Sequence, residues 1–156
     1  MNEITFKDER YYDLITKEQL TAGHVVLLSV KGQPAGVMTP AVQWAKDNLI
    51  NAVVVYGTTN DLQAIRDEVM KVTQPIVVVL TGSTMSMHEL SHWARDANVV
   101  VFLAVDANAA LPRYHVLLAA CMVELTYDHT GRVAQARAIR NIHTASGWVL
   151  DFTEDK

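Results

Sequence analysis

Two stretches of this chain carry residue types at spacings that can do chemistry. The first is His88-Glu89-Leu90-Ser91-His92, an H-E-x-x-H pattern. On a helix its histidines fall one turn apart, where both imidazoles can share a zinc ion while Glu89 acts as general base toward a metal-bound water. The second is Lys31 to Thr39, KGQPAGVMT, set between the apolar run HVVLLSV and the helical PAVQWAKDNL. A loop of the form G-x-x-x-x-G-K-[ST] in that setting wraps phosphates with backbone amides. Its lysine reaches the β and γ phosphates and its hydroxyl holds magnesium. Laid on that pattern, Gly32 and Thr39 are kept, Gly36 falls one place before the second glycine, Val37 replaces that glycine, and Met38 replaces the lysine.

Each pattern competes with a plainer reading. At about 100° per residue, Met87, Leu90, Trp93, Ala94 and Ala97 form one apolar face, and His88, His92, Arg95 and Asp96 lie opposite it. A catalytic zinc site also needs a third protein ligand and a cleft. Asp96 is on the exposed side, and nothing in the sequence brings His115, Glu124 or His129 to this helix. The expectation is therefore a solvated polar face with no metal, a zinc-dependent hydrolase built on His88 and His92 being the lesser alternative. Thr81, Gly82, Ser83, Thr84 and Ser86 make a hydroxyl-rich turn at a helix start, where free amides can hold an anion. Capping of the helix by Ser83 or Thr84 is the simpler account. Asp106 and Asn108 close an apolar run where open α/β sheets bind ligands, and both are also turn formers. Trp44, Trp93 and Trp148 read as core or interface anchors.

The elements that must position these residues follow from apolar patterning. Four valine-rich runs, His24–Val30, Ala52–Tyr56, Ile76–Leu80 and Val99–Val105, are continuous rather than alternating, as in parallel strands buried on both faces. Amphipathic segments near Pro40–Leu49, Asp61–Val72 and Met85–Ala97 separate them, giving β-α-β-α-β-α-β, and a further helix is predicted around Leu111–Met122. The ending changes character: Asp128-His129-Thr130-Gly131 is a turn between two strand-like runs, and GWVLDF offers one more strand. The predicted fold is a single three-layer α/β domain over residues 1–156, with residues 1–20 as a lead-in, helices on both faces of a mainly parallel sheet, and an antiparallel C-terminal hairpin extension.

Composition agrees with one ordinary domain. The chain has 156 residues, half of them apolar, and a formal net charge of -4. That balance argues against indiscriminate nucleic-acid binding, which needs a clustered basic surface. Arg132, Arg137, Arg140, His129 and His143 do make the terminal hairpin locally basic. Strand alternation from Arg132 would put Arg132 and Arg140 on one face and Arg137 on the other, splitting the patch. The single cysteine, Cys121, precludes an internal disulfide, and no run reaches the length of a membrane span. With no apolar leader, a cytoplasmic setting is expected.

In its order of segments the chain resembles the RecA/RadA/KaiC group of P-loop ATPases. LTAGHVVLLSVKGQPAGVMT looks like that family's strand and P-loop, AVVVYGTTNDLQAIRDEV like its second strand and helix, and PIVVVLTGS like the strand that normally ends in a magnesium-linked aspartate. ANVVVFLAVDAN looks like the strand after that, and VELTYDHTGRVAQARAIRNIHTASGWVLDF like the terminal hairpin, the K-N-R-x-G-x-T-G segment and the closing strand. The resemblance implies a RecA-like fold and identifies what is missing. Met38 takes the place of the phosphate lysine, Thr58 or Thr59 that of the catalytic glutamate, and Leu80 or Thr81 that of the aspartate. Arg140 and Asn141 stand where the family has lysine and asparagine, and Ile142 where it has arginine. Relatives use that segment to reach a neighbouring subunit's nucleotide.

Phosphoryl transfer is catalysed almost wholly by positioning and charge neutralisation, each such contact typically contributing about 3–4 kcal/mol. Three losses together predict no ATPase activity and no cofactor, ATP and magnesium being bound weakly or not at all. What remains is a vestigial phosphate site of Gly32, Gly36, Thr39, Ser83 and Arg140. The expected function is a non-catalytic regulator, adaptor or inactive subunit that self-associates or joins a RecA/KaiC-like relative. The alternative is a sensor that binds a nucleotide or other anion without hydrolysing it.

Overall fold

Uninterrupted β-branched residues favour extended backbone, and the four valine-rich runs are strands. The computed structural model describes residues 4–15, 17–32, 36–82, 86–107, 119–141 and 146–153. Strands β1 (Val25–Lys31), β2 (Val53–Thr58), β3 (Ile76–Thr81) and β4 (Val100–Asp106) alternate with helices α2 (Met38–Asn48), α3 (Leu62–Val69) and α4 (Met87–Ala97). A short helix α1 (Glu9–Leu14) precedes them, and β5 (Cys121–Tyr127), β6 (Val133–Asn141) and β7 (Ser146–Asp151) follow. Among the described residues these strands form one seven-stranded sheet, in the order β2-β3-β4-β1-β5-β6-β7. Pairing is parallel from β2 through β5, whereas β6 and β7 are antiparallel.

The sheet divides the apolar interior in two. On one face Val26, Leu28, Val77, Val79 and Phe102 pack against α2, α1 and the segment leading into α1. On the other, Leu27, Val78, Leu80, Val101 and Leu103 meet the apolar stripes of α3 and α4. With α2 on one face and α3 and α4 on the other, the chain runs from β1 out to β2 and returns strand by strand to β4. This is the arrangement that right-handed crossovers require.

Three expectations change. Residues 111–118 of the helix predicted around Leu111–Met122 lie outside the described part, but Cys121 and Met122 belong to β5. There Cys121, Val123 and Leu125 alternate inward with a period of two, which a helix cannot match. The predicted lead-in also carries core residues: Phe6, Tyr11, Leu14 and Ile15 are buried. Tyr11 stacks on Phe152 at 5.3 Å between ring centroids and meets Trp44 edge-on at 5.5 Å. Finally, β6 begins only at Val133, and a bulge sets Val133 against Tyr127 but Gln135 against Thr126. The bulge breaks the alternation predicted from Arg132, and the face that Ala136 and Ala138 share is buried.

Candidate phosphate-loop site

The chain leaves β1 toward β2 and leaves β4 toward β5, on opposite sides. This reversal places a topological switch point beyond the carboxyl ends of β1 and β4, where open α/β sheets take their ligands. Gly32, Gly36 and Thr39 gather there. Gln33, Pro34 and Ala35 lie outside the described residues.

The two glycines differ in their surroundings. Both have φ +94°, a region that side chains rarely enter. A Cβ on Gly32 would stand 2.6 Å from the Tyr127 carbonyl oxygen, whereas one on Gly36 would meet nothing within 4 Å among the described residues. Gly32 is thus required by close packing of the loop on the end of β5, with no phosphate invoked.

Helix α2 starts at Met38 with Val37 at its cap position, and among the described residues no side chain caps it. Val37 and Met38 are half-buried against the core, so the side chain in the lysine's place packs inward. Thr39 is exposed. Proline at 40 has no N–H, which limits the amides that this helix start can offer an anion to those of the residues before it. The Tyr127 hydroxyl donates to the Pro40 carbonyl at 2.9 Å, fastening α2 to β5, and burial pushes that hydroxyl's pKa well above its ordinary value.

The positions beyond β2 and β3 are engaged locally. Thr58 Oγ accepts from the Asn60 amide at 3.3 Å and donates to the Asp61 carboxylate at 2.9 Å, which also accepts from the Thr58 amide. Together these bonds form a capping box at the end of β2. Asp61 is the carboxylate that the sequence reading passed over. The signal was present in T-x-x-D, a cap pattern in which the acid serves the backbone. Thr59 is buried, and its hydroxyl would lie 2.8 Å from a Cβ on Gly82. Leu80 is fully buried and Thr81 half-buried at the end of β3.

The remaining candidates are scattered. Ser83 and Thr84, along with Asn108, His115, Ile142 and His143, lie outside the described residues. The cap of α4 is Ser86, which accepts from the Glu89 amide at 3.1 Å and takes the role expected of Ser83 or Thr84. Arg140 is in β6, with its side chain outside the described part. The register carries it five residues past Gln135, which pairs with Thr126 near the loop, hence roughly 17 Å along the strand at about 3.3 Å per residue. The fold therefore does not bring Arg140 to the loop of its own chain. His88 and His92 are exposed on α4, as the helical projection predicts, while Met87, Leu90, Ala94 and Ala97 are buried. No group of three or more metal-ligating side chains occurs among the described residues.

A cleft of about 1370 Å³ opens at the other edge of the sheet, where Phe6, Tyr12, Asp13, Met70, Gln74 and Pro75 line the amino ends of the strands. It is remote from Gly32 and Thr39 and belongs to a different part of the fold.

No protein-family model matches this chain, and no curated protein does. Several solved structures are similar. A protein of Pyrococcus horikoshii OT3 aligns with a TM-score of 0.52 and 10% identity, covering 97% of this chain and 98% of that one. The RadB recombinase aligns at 0.48 with 12% identity, covering 86% and 90% respectively. A KaiC-like protein from the hyperthermophilic archaeon Pyrococcus horikoshii OT3 aligns at 0.46 with 11% identity, covering 88% and 87%. Likeness at these identities concerns the fold alone. With its parallel strands in the order β2-β3-β4-β1-β5 and its antiparallel terminal hairpin, the chain shares the mainly parallel α/β fold of the first of these structures. No helix among the described residues is long and apolar enough to cross a membrane.

Proposed function

We propose that this chain is a non-catalytic RecA/KaiC-like domain, acting through protein contacts as a regulator, adaptor or inactive subunit. One observation supports this above the others: Met38, in the place of the phosphate-binding lysine, is half-buried against the core at the start of α2. At the ends of β2 and β3, the Thr58 hydroxyl is engaged with Asn60 and Asp61, and β3 ends in Leu80 and Thr81, so neither position offers a carboxylate to polarise water or hold magnesium. Without these groups, little remains to neutralise charge on a transferring phosphoryl.

A second reading has its own support. Among the described residues no side chain caps the start of α2, and Gly36 beside it is exposed, a setting in which helix-start amides can meet an anion. This favours a sensor that binds without hydrolysis. Calorimetric titration with ATP and magnesium separates the two. The adaptor reading expects no heat from the native protein, and saturable binding would replace it with the sensor. Met38→Lys tests the loop itself: binding gained only by that variant would mean the geometry has outlasted its chemistry. ATP turnover by the native protein would overturn both readings.

A further inference from the structure

The H-E-x-x-H stretch is not absorbed by this function, and its side chains are arranged in a way the sequence alone does not give. On α4 the Nε2 atoms of His88 and His92 approach to 3.2 Å, with the two rings at 86° and their centroids 4.6 Å apart. Two nitrogens at that distance share a single proton or present two lone pairs to one point. Metal–nitrogen bonds of about 2.0–2.1 Å set two ligand nitrogens about 3.3–3.4 Å apart on a tetrahedral ion and about 2.8–3.0 Å apart at right angles, and 3.2 Å lies between. The separation already present is close to that bite.

The frame beneath the pair is fixed. Ser86 caps α4, and Met87, Leu90, Ala94 and Ala97 anchor its inner side, so the histidines project from a packed helix rather than a loop. Their exposure, which argues against a closed catalytic centre, is what an entering ion requires. With two protein ligands among the described residues, the remaining coordination positions stay open to water or to a donor from outside. This composition suits the ions that favour imidazole over oxygen.

We propose that His88 and His92 form a bidentate surface site for a divalent transition ion of the nickel, copper and zinc class. The site binds the ion without a hydrolytic role for Glu89, and it is independent of the loop after β1. Nickel chloride is the first probe, its affinity being read by competition with a chromophoric chelator. The native protein should bind one ion per chain through this pair, and either His88→Ala or His92→Ala should weaken binding by about tenfold or more. The double variant should lose the site while keeping the chain's other four histidines as an internal control. Nickel should raise the melting temperature of the native protein and leave the double variant's unchanged. Since both side chains are exposed, the variants should fold normally, and their melting temperatures without metal check this. No nickel binding by the native protein, or equal binding by the double variant, would overturn the proposal and leave the reading of the ATP loop untouched.

Discussion

Gly32 and Gly36 sit at the two ends of one loop with the same φ of +94°, yet they answer to different demands. Gly32 is pressed against the Tyr127 carbonyl oxygen, and no described residue crowds Gly36. One glycine belongs to the packing of the sheet, the other only to the path of the loop. The first glycine of the pattern is therefore needed by the neighbouring strand, whatever the loop does with a phosphate.

The sharpest way to break this comparison is to add a methyl group at each end. Gly32→Ala combines backbone strain of about 2 kcal/mol with an overlap that costs about 2 kcal/mol more, and should lower stability by about 4 kcal/mol. Gly36→Ala carries the strain alone, about 1–2 kcal/mol. Urea midpoints for the two variants should differ clearly, and equal losses would mean that contact with β5 is not what holds Gly32. Next in size is Tyr127→Phe, which removes the hydrogen bond from β5 to the Pro40 carbonyl. It should cost about 1 kcal/mol by the same measurement, and no loss would show that α2 is held without it.

The smallest effect lies in the turn that follows β5. Asp128 accepts from the Thr130 hydroxyl, the Thr130 amide and the Arg132 amide, and the Thr130 hydroxyl is the first cause of its lowered pKa. Because the folded value lies below the unfolded one, the unfolded chain takes up protons first as pH falls. The turn's contribution is thus complete above the ordinary carboxylate value of about 3.9 and is lost as pH falls through the folded value. Asp128→Asn should be less stable than the native protein at neutral pH, and the gap between their denaturation midpoints should narrow in acid. A gap that persists unchanged would assign the effect to shape rather than charge.

The parallel core was legible because strands buried on both faces have no reason to alternate, and HVVLLSV, AVVVY, PIVVVL and VVVFLAV carry that signature openly. The hairpin was legible from its turn residues. The start of β5 was misread because apolar LLAACMVEL has no polar partner to reveal its period until Glu124. Residues 4–15 were read as a lead-in because Phe6, Tyr11, Leu14 and Ile15 are too few to show a face, although all are buried. At the candidate site, substitutions such as Met38 can be read directly from a linear pattern. Three features depend on contacts between distant residues and could not be: the closeness of Gly32 to Tyr127, the distance of Arg140 from the loop, and the inward packing of Met38. The facing imidazoles were half legible, since spacing places them on one side of α4 but does not orient the rings.

The stack of Tyr11 on Phe152 has a consequence in time. It joins residues 141 positions apart, a closure that cannot be favourable until most of the chain between them has already been ordered. It is expected to form late, together with the contact of Arg10, poised 5.0 Å from the same ring. The first and last described segments thus latch a sheet that the middle of the chain must assemble beforehand. Loosening that latch should show chiefly in how fast the protein opens, with little change in how fast it forms.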